Sequence, residues 1–71
     1  MREKVPKIVG KLRYLVRRYP DQRDKLMTAA NRLILAIKSL NTPPEYWQHM
    51  AAYGHARKVV KEVCGEDWIG E

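Results

Sequence analysis

Apolar residues recur along the first twenty positions at the spacing of an α-helix. Val5, Ile8, Val9, Leu12, Leu15, Val16 and Tyr19 fall on one stripe. Lys4, Lys7, Lys11, Tyr14, Arg17 and Arg18 occupy the opposite face, and Gly10 also points away from the stripe. The pattern predicts a helix over about 4–19, with Pro6 in its first turn and Pro20 as its stop. A second stripe, Leu26, Ala30, Leu33, Ile37 and Leu40, predicts a helix over 21–40 with Asp21 as its N-cap. Asn41-Thr42-Pro43-Pro44-Glu45 then reads as a stop followed by a start. Thr42 and Glu45 have capping-box spacing, with Pro43 at the first helical position. The third segment is expected over 43–64, closed by Gly65 in the left-handed conformation.

That third segment does not carry one stripe. On an unbroken helix, Tyr46, Trp47, Met50, Ala51 and Tyr53 cluster on one side, and Ala56, Val59, Val60 and Val63 on another. The two centres differ by roughly 130° at 100° per residue. Gly54 lies at the change. Either the segment bends there, or it runs straight and packs two partners on two faces. Strands are not expected, because no run alternates with period two. The fold class is therefore all-α: a small three-helix domain over 1–71, a helical hairpin around Ile8, Leu12, Leu15, Leu26, Leu33 and Ile37 plus a third helix with a candidate bend at Gly54.

Seventy-one residues make one small core and no large internal pocket. The net charge of +6 changes the picture more than the length does. Residues 1–20 hold seven bases against Glu3, so the whole excess equals that of the first segment. Residues 65–71 hold Glu66, Asp67 and Glu71 and no base. Such asymmetry points to a polyanion or to an acidic protein surface, against the plainer reading of a solvated helix face. Lys7, Lys11, Arg17 and Arg18 have the spacing to follow a phosphate backbone, with Tyr14 to stack or donate a hydrogen bond.

A bend at Gly54 would make 43–64 a helix-turn-helix, with Met50 and Tyr53 packing before the turn and Val60 and Val63 after it. Arg57, Lys58 and Lys61 would then project from the outward side of a recognition helix. His49 at an aliphatic position and the uncapped start at Ala56 argue against that motif. Tyr46 and Trp47 are adjacent and cannot both face inward. Leu35, Trp47 and Trp68 are candidate interface residues, and a homodimer is expected if one copy cannot cover all three. Trp68 alternatively folds back over the helix ends.

Enzymatic chemistry has no foothold in this sequence. His49 and His55 are six apart and face different ways on a helix, and Cys64 stands alone in an apolar run. No Gly-rich phosphate loop and no catalytic constellation is present. No metal and no cofactor is expected, no bilayer-spanning run occurs, and no secretory leader precedes the first helix. The expected setting is the cytoplasm. Two readings remain: a nucleic-acid-binding or nucleic-acid-associated accessory protein, or a module that docks its basic helix and aromatic cluster on an acidic protein.

Overall fold

The computed structural model describes residues 5–70. Three α-helices form it: α1 (Lys7–Arg18), α2 (Arg23–Leu40) and α3 (Ala51–Cys64). Two 3-10 segments, Pro20–Gln22 and Pro44–His49, stand before α2 and α3. All three helices touch one another, and no strand occurs among the described residues. The fold is the small all-α three-helix domain expected. The start anticipated at residue 4 lies outside the described residues, but Val5 and Pro6 are not helical: α1 begins at Lys7, and Pro6, expected in the first turn, is extended before it.

α1 follows its stripe closely. Ile8, Val9, Leu12 and Leu15 are buried, and Val16 and Tyr19 are half-buried against the same core. Pro6 is buried and serves as the N-cap, its carbonyl accepting from the Val9 N–H at 3.0 Å. Tyr19 closes the helix by donating to the Leu15 carbonyl at 2.7 Å, and Pro20 forces the stop. The expected Asp21 cap is not formed. Pro20 opens a 3-10 turn, so Asp21 falls inside it, and Gln22 takes the position before α2 without a side-chain capping bond. In α2, Leu26, Ala29, Ala30 and Leu33 are buried while Ile37 is only half-buried; Leu40, expected on the same stripe, is 71% exposed at the helix end. Asn41 ends the helix with φ of 51°, a conformation that Asn tolerates better than most residues.

The chain between α2 and α3 departs from expectation. Pro43 is extended and stands before the 3-10 segment, not within it, and no Thr42 side-chain cap forms. The Thr42 carbonyl instead accepts the Trp47 indole N–H at 3.1 Å. A 3-10 helix repeats every three residues, which places Trp47 and Met50 on one side and Tyr46 and His49 together on another. Trp47 is buried, Met50 half-buried, and Tyr46 and His49 exposed. Met50 is extended, with φ −77° and ψ 142°, and its carbonyl receives the Tyr53 and Gly54 N–H groups at 3.1 Å. The break therefore falls at Met50, not at Gly54. It resets the helical phase, so that Trp47 before it and Tyr53, Ala56, Val59 and Val60 after it all reach one core.

Gly54 sits in the first turn of an uninterrupted α3, exposed, with no atom within 4 Å of where a Cβ would stand. It is neither a turn nor a close-approach point. The helix-turn-helix reading that used it as the turn is withdrawn on that ground. Gly65 does adopt φ of 79° and donates to the Lys61 carbonyl at 2.8 Å. This left-handed residue turns the chain back along α3. Trp68 then donates its indole N–H to the Tyr53 hydroxyl at 2.8 Å. Tyr53 lies eleven positions before Cys64, about 16 Å back along the helix.

Candidate nucleic-acid interface

α1 contains Lys7, Lys11, Arg13, Arg17 and Arg18 and no acidic residue. At 100° per residue, Lys7, Lys11, Tyr14 and Arg18 lie within about 60° of one another, while Arg13 and Arg17 form a second stripe roughly 110° away. The bases expected to act together thus divide. Lys11, Tyr14 and Arg18 line a shallow groove of about 260 Å³ with Leu15, Tyr19, Cys64 and Glu66, so this stripe borders the C-terminal end of α3. Arg17 is exposed on the far stripe with Arg13. Tyr14 is 51% exposed, and the Lys11 ammonium stands 5.5 Å from its ring centroid. That distance suits a cation–π contact, which holds the ring and the charge together at the surface.

On α3, Arg57, Lys58 and Lys61 are all exposed and project within about 100° of one another. Arg57 lines a second groove of about 260 Å³ with Gln48, Tyr53, Trp68, Ile69 and Gly70. Lys61 pairs with Asp67 at 3.4 Å, both side chains being more than half exposed. The one acid of α3, Glu62, pairs with Lys25 of α2 at 3.5 Å, and so lies on the other flank. The structure brings Lys11, Tyr14 and Arg18 to one side of residues 66–70, and Arg57 to the other, with Lys61 paired to the segment between. Glu66 and Asp67 belong to this site and were read from the sequence only as tail charge. The Gly65 turn was the signal that could have placed them.

The three residues singled out as interface anchors separate. Trp47 is 7% exposed and belongs to the core, so it is not available as a surface anchor. Trp68 is half-buried against the same core. Leu35 is 66% exposed and stands on the outer side of α2. Two of the three are covered within one copy, and one exposed leucine is ordinary on a protein surface. Cys64, expected to be buried, is half-buried, and its thiol lies 3.8 Å from the Glu66 carbonyl.

Among the described residues no cluster of His, Cys, Asp and Glu could hold a metal ion. His49 is in the 3-10 segment and His55 in α3. No described helix is long and apolar enough to cross a membrane. The described residues extend 32 × 24 × 17 Å, and an open groove of about 500 Å³ lies between α2 and α3. Comparison of the chain with protein-family models, with curated proteins and with solved structures finds no match.

Proposed function

We propose that this protein binds nucleic acid, as an accessory or regulatory factor in the cytoplasm, through the basic face that α1 and α3 share. The observation that carries this reading is a helix of five bases and no acid, α1, packed beside a helix whose outer side presents Arg57, Lys58 and Lys61. Side chains of this kind on two adjoining helices are spaced to neutralise successive phosphates, and Tyr14 adds a ring for stacking. Phosphate contact gives affinity without sequence choice. With Gly54 inside α3, no separate recognition helix is invoked.

A second reading keeps its own observation. The same face already accommodates an acidic, aromatic stretch of this chain, Glu66-Asp67-Trp68, which is the chemistry an acidic protein partner would bring. The two readings part in a titration of labelled duplex and single-stranded oligonucleotides from low to physiological salt. Nucleic-acid binding gives an affinity that falls log-linearly with salt, by about 0.9 per phosphate neutralised on duplex DNA and about 0.7 on a single strand. Five bases at phosphates give a duplex slope of about −4 to −5. No binding to either probe at low salt discards the first reading and leaves the face to an acidic protein.

A further inference from the structure

The segment after α3 carries three acids and no base, and its described part lies against the basic face. Gly65 turns it back, Asp67 pairs with Lys61, and Glu66 lines the groove of Lys11 and Arg18. Trp68 forms one wall of the neighbouring groove, which Arg57 also lines, and is anchored by its hydrogen bond to Tyr53. Gly70 closes the turn against the indole, where a Cβ would stand 2.7 Å from the ring. Two carboxylates set among lysine and arginine, followed by a planar ring, reproduce the elements of a short single strand: anions along the backbone and a base beside them.

We propose that Glu66-Asp67-Trp68 is a built-in competitor that occupies the nucleic-acid-binding groove and must be displaced when a single strand binds. The vacated indole position, bordered by Gln48, Tyr53 and Arg57, then receives a nucleobase, with the Arg57 guanidinium available to stack on it. This rests on the nucleic-acid reading above. The segment sets a threshold: weak anions fail to displace it, while a strand engaging several bases at once succeeds. The exposed Lys61–Asp67 pair is weak enough to open readily, as such pairs are in water.

The test uses the full chain and a labelled oligodeoxythymidine of about twenty nucleotides, long enough to span the site. The variant Glu66→Gln/Asp67→Asn keeps Trp68 and its packing and removes only charge. A charge-matched control, Asp24→Asn/Glu45→Gln, removes two acids elsewhere. The first variant is expected to bind on the order of fivefold tighter than the parent at low salt, with the advantage shrinking as salt screens both interactions. The control is expected to gain less than half of that. In the parent, the Trp68 indole N–H resonance is expected to shift on adding the strand, while that of buried Trp47 stays. If the parent binds and the tail variant binds no tighter than the control, the competitor role is overturned and the binding face stands. If the parent binds and the Trp68 resonance does not move, the displacement is overturned. If neither the parent nor the tail variant binds at low salt, the nucleic-acid reading itself falls, and this proposal with it. Binding by the tail variant alone supports both.

Discussion

The two halves of this chain solve the same packing problem differently. Within α1, and within α2 from Leu26 to Ile37, burial follows a 3.6-residue period in one phase. From Thr42 to Gly70, burial is reached by changing phase: a three-residue period through Trp47, an extended Met50, an α-helix from Ala51, and a left-handed Gly65 that returns Trp68 to Tyr53. Apolar periodicity identifies a buried face only while the backbone keeps one geometry. Where it changes, side-chain hydrogen bonds such as Trp47 to Thr42 and Trp68 to Tyr53 fix what periodicity leaves open.

Substitutions of the largest side chains test this contrast most severely. Trp47→Ala is expected to cost about 3–5 kcal/mol, as much as a central residue of a regular helix, because it is buried in the same core cluster. Leu33→Ala in α2 is expected to cost about 2–5 kcal/mol. Urea unfolding reads both. A Trp47 variant losing under about 1 kcal/mol would separate the 3-10 segment from the core and break the comparison. Trp68→Phe keeps most of the ring and deletes the bond to Tyr53, for an expected loss of about 0.5–1.5 kcal/mol. Gly54→Ala sharpens the point in the opposite direction. In open space on a continuous helix it should stabilise by about 0.5–1 kcal/mol, whereas a turn at Gly54 would make the same change destabilising. Smallest of all, Leu35→Ala should leave the melting temperature nearly unchanged, since Leu35 is mostly exposed, two positions from fully buried Leu33.

What could be read beforehand divides along the same line. The α1 stripe, the stop at Pro20, the buried face of α2 up to Leu33 and the Gly65 turn follow from residue type and spacing alone, whereas the exposure of Leu40 on the same stripe depends on where the core ends. Nor do the caps follow from type and spacing. Asp21 and Thr42 are favourable cap residues by type, but Pro20 drew Asp21 into a 3-10 turn, and the indole of Trp47 took the Thr42 carbonyl while Pro43 stayed extended. Placing the break at Met50 requires knowing that Trp47 and Tyr53 share one core, which is a tertiary fact. The basic residues were legible one by one. Their division into a stripe of Lys7, Lys11, Tyr14 and Arg18 and another of Arg13 and Arg17 follows from helix geometry. The contact of one stripe with Glu66, and of Asp67 with Lys61, depends on how the chain returns after Gly65.

On the function proposed above, a particular face, α1 beside α3, and not the net charge of +6, binds nucleic acid. The most direct measurement compares two charge-matched variants at one low salt concentration, by titration against a labelled oligonucleotide. Lys11→Ala/Arg18→Ala removes two bases beside α3, and Arg23→Ala/Arg32→Ala removes two exposed bases of α2. The first variant is expected to lose on the order of tenfold in affinity, with a salt slope shallower by about 1.8 on duplex DNA, and the second to stay within about twofold of the parent. Equal losses in the two variants would mean that charge alone governs binding, and would contradict a defined interface between α1 and α3.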